Sequence, residues 1–417
     1  MRKRIGMVSV VAALLFYEVD VSGDDFSDLD SPEHLYWERP LRDPFTMIKN
    51  RLEEGSLSLE GGSEKAFLSN LLELLDVPKE SQTLVFSTTS LQLSLISPRS
   101  PRAIYFNEEV YVGYIPGGKI EVISMDPDLG GIFYIFEIPK NGSPLEIQRS
   151  RRCMNCHSDE DTRGVPGLVI KSVIPGTRGG SLDSFRRYQT GHQIPFSERM
   201  GGWYVTGDKA LKDHKGNAIG RFTPSGIELT AVLPGERFDW SLFPVATSDV
   251  LAHLIHDHQA GFTNRILEFH YRYRTWKEKG GVWGSEDAGA EWDPRADELV
   301  RYLLFADEAQ LPAGGISGDP DFVDAFRRAR HVAGGGESLK DFDLATRLFR
   351  YRCSYMIYSG MFSALPENAR ELIVEKINDA LSIEKADPEY AYLPDREKSS
   401  ILRILRETHP DWKTGTP

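Results

Sequence analysis

Two cysteines and a histidine stand at a spacing that can hold a haem. Cys153, Cys156 and His157 form a Cys-x-x-Cys-His segment, the spacing of c-type haem attachment. Two thiols three positions apart can add to the two vinyl groups along one edge of a haem, and the adjacent imidazole can then reach the iron from the same side. The sequence therefore predicts one covalent haem c, with His157 as the proximal iron ligand.

Three other uses of these two cysteines compete with haem attachment. A thioredoxin-like redox pair normally opens a helix after a strand in a βαβ unit, and no such unit is visible around the motif. Half of a zinc site would need histidines to complete it, because Cys353 is the only other cysteine. A simple disulfide is the third alternative. The complete motif behind a signal-like N-terminus favours the haem.

The third cysteine, Cys353, is predicted to be a buried free thiol. Its neighbours are apolar and aromatic, and in such a context cysteine packs as a small hydrophobic residue. With three cysteines in the chain, only one c-type motif can form. A dihaem peroxidase, which needs a second motif, is therefore excluded.

Three histidines are candidates for the distal iron ligand. Haem iron commonly takes His or Met in that position. His192 and His214 lie in loop-like segments, His258 lies on a predicted helix, and Met200 is a weaker candidate near the first of them. An open sixth position is the alternative to all four.

Helical geometry separates His258 from the two histidines that precede it. At about 100° per residue, His258 falls within the apolar stripe of its helix. His253 and His256 point away from that stripe. Because the three side chains are split across faces, a second metal site in this segment is not favoured.

The N-terminus is typical of a secretory signal. Basic residues at positions 2–4 precede a short apolar run over 5–17, and small residues follow at 21–23. We expect residues 1–23 to be removed and the protein to be periplasmic or otherwise exported. The apolar run is shorter than the roughly 20 residues of a transmembrane helix, so no stable membrane span is expected after cleavage. An uncleaved membrane anchor is the alternative.

Composition indicates a soluble globular protein with an acidic surface. The chain has 417 residues, of which 40% are hydrophobic and 27% charged, and its formal net charge is −13. Length suggests about two or three domains. The acidic balance argues against a nucleic-acid partner, and it suggests that a redox partner protein would present a basic docking face.

Hydrophobic patterning predicts an α+β protein. We expect an N-terminal helical lead-in over 24–80, a β-rich haem-attachment region over 81–245 and a mainly helical region over 246–417. Positions 116–118, Pro-Gly-Gly, predict a hairpin turn within the β-rich region. The predicted strands are 84–93, 103–113, 120–125, 132–138, 169–174, 202–206 and 227–232. The predicted helices are 67–75, 248–276, 293–307, 319–332, 338–350, 366–383 and 396–407.

Several longer segments resemble one family of exported bacterial proteins. The family carries one c-type haem motif, and its members are described as cytochrome c domain-containing. The likeness covers roughly residues 80–370, and its segments are 105–107, 110–113, 153–157, 164–167, 192–207, 258–259 and 353–355. It implies haem attachment at Cys153, Cys156 and His157. It also implies histidines at the positions of His192, His214 and His258, whereas a tryptophan is more usual at Met200.

Two functions from different classes follow from a single haem. The first is electron transfer by an iron with two strong axial ligands. The alternative is a haem oxidoreductase or small-ligand-binding protein with an open or weakly ligated sixth position. Length favours the alternative, since a simple monohaem carrier needs roughly one small domain. A structural or sensory haem is a third hypothesis.

Overall fold

A computed structural model describes residues 26–59, 62–140, 143–185 and 190–413. The predicted signal peptide, residues 1–23, lies outside these ranges. The described chain is a mixed α/β protein, with an antiparallel sheet in its central part and helices toward the C-terminus. The α+β prediction is confirmed at this level.

The central sheet has seven antiparallel strands in the order β6-β5-β4-β3-β2-β1-β9. Two hairpins, β7-β8 and β10-β11, complete the strands of the described residues. The strands are β1 (Thr83–Val85), β2 (Arg102–Phe106), β3 (Val110–Tyr114), β4 (Ile120–Asp126), β5 (Gly130–Phe136), β6 (Gln148–Arg149), β7 (Val173–Pro175), β8 (Ser181–Ser184), β9 (Trp203–Tyr204), β10 (Ala218–Thr223) and β11 (Gly226–Ala231).

Most of the helices follow the sheet in sequence. They are α1 (Pro44–Glu53), α2 (Glu64–Leu74), α3 (Met154–His157), α4 (Val250–Glu278), α5 (Glu286–Leu303), α6 (Pro320–Arg327), α7 (Gly360–Ser363), α8 (Glu367–Leu381), α9 (Asp395–Thr408) and α10 (Pro410–Lys413). Asp249 caps the long helix α4 by accepting a hydrogen bond from the amide of Leu251. None of these helices combines the length and the apolar character needed to cross a bilayer.

The two faces of the central sheet are covered to different extents. Successive side chains of a strand point to opposite faces. One face, here called the closed face, packs against α1 and α2, and its side chains are fully buried: Leu84, Ala103, Tyr105, Val112, Val122, Ile132, Tyr134 and Phe136. The other, here called the open face, contacts the core around α4 through a part of its residues: Val85, Ile104, Phe106, Tyr111, Ile123, Met125 and Trp203.

Several of the predicted elements are confirmed, and others need correction. The Pro-Gly-Gly turn joins β3 to β4, and the helix predicted over 67–75 is α2. The run 103–113 is two strands, because Asn107 Oδ1 accepts hydrogen bonds from the amides of Glu109 and Val110 and closes a turn between them. The run 84–93 is a strand only as far as Val85.

The predicted helix over 338–350 is wrong. Asp343 Oδ1 accepts hydrogen bonds from the amides of Ala345 and Thr346, which offers the backbone a local alternative to helical bonding. A bridge between Phe342 and Phe349 then folds the segment back on itself.

Candidate functional site

The haem motif enters on the open face of the sheet. The chain leaves the edge strand β6, and the amide of Ser150 donates to the carbonyl of Phe133 at 2.8 Å. The motif then forms the short helix α3. The His157 ring packs at a tilt on the ring of Phe133, with 4.7 Å between their centroids. Phe133 belongs to the open face, so the register of β5 determines where the motif lies.

His157 is held by two hydrogen bonds to one glycine. Its Nδ1 lies 2.9 Å from the carbonyl oxygen of Gly167, and its own carbonyl accepts from the amide of Gly167 at 2.9 Å. Because a carbonyl can only accept, Nδ1 carries the hydrogen and Nε2 is the nitrogen with a free lone pair. Such a bond orients an imidazole that binds a metal through its other nitrogen.

Burial keeps the His157 ring in the form that binds metals. It lowers the pKa of His157 to about 4, while the hydrogen bond to Gly167 acts in the opposite direction. The imidazole is therefore neutral near pH 7, as a ligand nitrogen must be.

Helix α4 holds the loop that holds His157. Asn264 Oδ1 accepts from the amide of Leu168 at 2.8 Å, and Asn264 Nδ2 donates to the carbonyl of Leu168 at 2.9 Å. Gly167 has to be a glycine here, because a Cβ would lie 2.2 Å from Asn264 Oδ1. The position of the imidazole is thus coupled to the longest helix of the protein.

All three cysteines are free thiols, and they differ in exposure. Cys156 is exposed, Cys153 is half-buried and Cys353 is fully buried. Burial raises the pKa of Cys353 to about 12, so this thiol stays protonated and unreactive. The prediction of a buried free thiol at Cys353 is confirmed. The two thiols of the motif are the accessible ones.

An incompletely covered row of residues crosses the open face beside the motif. Cross-strand pairing places Ile104 next to Gly113, Gly113 next to Glu121, and Glu121 next to Ile135. These four residues are called the open row. Both isoleucines are half-buried in the middle of a sheet whose other face is sealed. Gly113 contributes no side chain, and the Glu121 side chain lies over it, with Oε2 3.3 Å from the place that a Cβ would take.

An ion pair stands at the edge of the open row. Arg102 Nη1 donates to Glu121 Oε2 at 2.7 Å, and the two side chains retain only 15% and 19% of their exposure. Ser90 and Gln92 also donate to this carboxylate. Arg102 Nε is buried and has no hydrogen-bond acceptor. Both charges lie close enough to Cys153 and His157 to influence their pKa values.

A second cation lies on the other side of the motif. Lys171 Nζ pairs with Asp161 Oδ2 at 2.7 Å. Hydrogen bonding and charge from Asp161 outweigh the effect of burial and raise the pKa of Lys171. The nearby Cys156 acts in the same direction.

These residues fit a flat apolar group that carries acidic substituents. The open row offers two partly exposed isoleucines, and the buried Arg102 Nε, which has no acceptor, offers an unused donor to an anion. A haem has both properties, and Cys153, Cys156 and His157 are the residues that would hold it.

Two of the candidate distal ligands, His192 and His258, contact each other. Their Nδ1 atoms are 2.8 Å apart, and His258 Nε2 lies 2.8 Å from Ser354 Oγ. Both rings are buried and stack with Tyr302 and Phe305. Both ring nitrogens of His258 are therefore engaged in hydrogen bonds.

His214 and Met200 lie apart from that pair. His214 Nε2 is 2.9 Å from Asp208 Oδ2, and its Nδ1 accepts from the amide of Gly216, so this imidazole closes a loop. Met200 is buried, with a positive φ of 67°. That these residues bind iron stays a prediction.

His253 and His256 leave the stripe of His258, but they are buried on a second packed surface. His253 Nε2 lies 3.1 Å from the carbonyl of Tyr204, and the His256 ring stacks on Phe106 at 4.8 Å. Helix α4 is covered on several sides, which an amphipathic stripe alone does not reveal. Within the described ranges, no group of three or more His, Cys, Asp or Glu side chains is placed to hold a metal ion.

Comparisons with known proteins found no counterpart. No family model, no curated protein and no solved structure matches the chain. A surface cavity of about 440 Å³ is lined by residues between positions 323 and 351, and it includes no residue of the motif or of the open row.

The sequence predictions missed the polar surroundings of the motif. Arg102, Glu121 and Lys171 are separated from it by many positions and carry no motif of their own. One signal was available for Gly113. A glycine inside the strand Val110–Tyr114 indicates close approach of another group to the sheet.

Proposed function

We propose that the protein is an exported monohaem c-type cytochrome that transfers electrons. The observation that carries the proposal is the hydrogen bond from His157 Nδ1 to Gly167 on a helix that also presents two free thiols. This arrangement leaves Nε2 for an iron atom. A structural histidine would have no need of two free cysteines at this spacing.

The residues of the motif would each have a separate role. Cys153 and Cys156 would each add a sulfur to one vinyl group of the haem, with the thiol proton going to the other vinyl carbon. His157 would bind the iron, and the Gly167 carbonyl would fix its ring orientation. The bound haem would supply one-electron chemistry, whose potential depends on burial and nearby charge.

A second function, binding or turnover of a small ligand at an open sixth position, is favoured by one observation. His258 and His214 have both ring nitrogens in hydrogen bonds. Binding of iron by either histidine would require at least one of these bonds to break. If they remain, His192 is the candidate histidine still available, because its buried Nε2 has no hydrogen-bond partner. If His192 does not bind the iron either, the distal position would be left to a weak ligand or to none, and the protein would be a haem oxidoreductase or a ligand carrier.

The first experiment asks whether a covalent haem is present. The full chain is expressed with a c-type haem maturation system and analysed as its pyridine haemochrome. We expect one covalent haem per chain, and the removal of residues 1–23 in the exported protein. The variants C153A and C156A should lose covalent attachment, whereas C353A should keep it. Absence of covalent haem from the wild type contradicts the proposal.

The second experiment separates the two functions. Visible spectra of the reduced protein are recorded with and without carbon monoxide. An unchanged low-spin spectrum indicates an electron carrier with two strong ligands, and a carbon monoxide shift indicates an open or weakly ligated position. Single alanine variants of His192, His214 and His258 then test each candidate ligand, since loss of the true ligand converts the iron to high spin.

A further inference from the structure

We propose that the haem lies against the open row of the sheet and that Arg102 binds one of its carboxylate groups. The inference rests on the proposed function, and it assigns a binding surface to residues far from the motif in sequence. Its three supports are the shape of the row, the orphaned donor of Arg102 and the exposed leucines beside the row.

The open row has the extent of a flat ring, with an isoleucine at each end and the Arg102–Glu121 ion pair beside its centre. It crosses four strands, which at about 4.7 Å between neighbours amounts to about 14 Å. Its two half-buried isoleucines flank Gly113 and Glu121. Ile104 also packs against the core around α4, so Ile135, on the side of the motif, is the apolar residue of the row with surface left to cover. The motif stands directly beside this surface, because His157 packs on Phe133 of the same face.

Arg102 has a donor that the described protein does not use. Its Nη1 is bonded to Glu121, but its buried Nε has no acceptor, which costs free energy in the absence of a ligand. A carboxylate on the bound group would supply the missing acceptor and would share the guanidinium with Glu121. Lys171 is also ion-paired at 2.7 Å, but it is the weaker candidate because its side chain is 40% exposed, so that water can satisfy its remaining donors.

The loop that leads from β1 to β2 supplies exposed apolar side chains beside the row. Leu91, Leu93 and Leu95 are 38%, 56% and 40% exposed. The loop is tied to the row because Ser90 Oγ and Gln92 Nε2 each donate to Glu121 Oε1 at 3.0 Å. Large apolar side chains at this place would gain burial against a bound ring.

The test of Arg102 uses the reduction potential of the holoprotein. A cation near the haem stabilises the reduced state, so R102Q should shift the potential to a more negative value and R102K should restore most of it. The matched control is R221Q, because Arg221 also stands on a strand and pairs with a cross-strand glutamate, Glu228. It should leave the potential unchanged.

The test of the open row compares two half-buried isoleucines on different sheets. I135Q places an amide on the row, and I227Q places one on the hairpin β10-β11. In the holoprotein, I135Q should shift the haem potential and lower the urea midpoint more than I227Q does. Circular dichroism of each variant checks that the fold is retained.

The outcomes separate this inference from the proposed function. If the wild type carries covalent haem but R102Q and I135Q match their controls in potential and in urea midpoint, the haem lies elsewhere and the inference is overturned. If R102K shifts the potential as far as R102Q does, Arg102 acts by its shape and not by its charge, and its assignment as the carboxylate partner fails. Absence of covalent haem overturns the proposed function itself.

Discussion

The two faces of the central sheet are made by the same strands but differ in how they are covered. On β5, Ile132 is fully buried on the closed face, whereas Ile135 is half-buried on the open face three positions later. On β4, Ile120 is likewise fully buried on the closed face, and Ile123 is half-buried on the open face. One face is thus a complete core, and the other is completed only where α4 reaches it.

The difference shows where this sheet supports the fold and where it is available for binding. The closed face is sealed by α1 and α2, and the covered end of the open face is sealed by α4. The open row continues beyond that covered part, from Ile104, which still packs against the core around α4, to Ile135, and the Cys-x-x-Cys-His motif stands beside it. If this face had only a structural role, we would expect its apolar side chains to be covered along the whole face.

The largest expected effect comes from truncating one isoleucine on each face of β5. In the C153A/C156A protein, which attaches no haem, I132A should lower the free energy of unfolding by about 3 kcal/mol, because it opens a cavity in a sealed core. I135A should cost about 1 kcal/mol or less, since its side chain keeps contact with solvent. Urea denaturation measures both.

The same comparison can be repeated on β4 with I120A and I123A. Ile123 lies outside the open row and packs against the core around α4, so this second pair measures the covered part of the open face. Equal costs of I132A and I135A would show that the open row is as well covered as the closed face. In the holoprotein the cost of I135A should rise toward that of I132A, because a bound haem would cover the row.

The second prediction concerns acid and the covered end of the open face. His270 of α4 is buried, and its Nε2 donates to the carbonyl of Met361. Burial and the charge of Arg274 lower the pKa of His270 to about 4, while the Met361 carbonyl and Asp128 act against that shift. The folded state therefore keeps this ring neutral while the unfolded chain takes up a proton below pH 6.5.

Stability from His270 is present above pH 6.5 and is lost as the pH falls toward 4. Between about pH 7 and pH 5 the loss is about 2 kcal/mol. H270N keeps a donor for Met361 and should reduce the slope of the stability curve by the share of one proton, measured by urea denaturation at each pH. Other buried histidines with a lowered pKa, such as His34 and His253, should keep the rest of the slope. I135A should keep the wild-type slope. An unchanged slope in H270N would show that His270 does not stabilise the α4 side in its neutral form.

Sequence patterns predicted those helices and strands whose formation depends on the residue types and spacing within the segment itself. The β-branched and aromatic residues over 120–125 and the apolar run over 132–138 were sufficient for β4 and β5, and the helical spacing over 67–75 was sufficient for α2. They failed where side chains bond to their own backbone, as Asp343 and Asn107 do. Such bonds compete with regular structure at single residues, which periodicity does not detect.

The residues of the candidate site also fall into two groups: those that the sequence pattern predicts and those that it does not. Cys153, Cys156 and His157 are found from spacing alone, because covalent attachment requires them to be close in sequence. Arg102 and Glu121 come together only through the register of β2, β3 and β4. The bond between His192 and His258 also spans distant segments, so the stripe of α4 could predict that His258 is buried but not which residue it contacts.

The third prediction tests whether the buried His258 has a structural role, distinct from the role proposed for His157 of the motif. S354A removes the hydroxyl that His258 Nε2 contacts, and it leaves the buried ring nitrogen unsatisfied. We expect a loss of about 1–2 kcal/mol in the free energy of unfolding. If His258 has a structural role, the spectrum of the holoprotein should stay unchanged. A change of spin state in S354A would instead connect this network to the iron.

The smallest effect on the haem-free protein should come from the exposed loop beside the open row. Leu93 is 56% exposed, and Leu229 on β11 is 48% exposed, so L93S and L229S remove similar apolar surface from water. Without haem, both should change the free energy of unfolding by less than about 0.5 kcal/mol. With haem attached, L93S should lower the urea midpoint while L229S does not, because only Leu93 lies on the loop that bonds to Glu121. Equal behaviour in the holoprotein would mean that the loop does not close over the open row, and the exposed leucines would then serve neither face of the sheet.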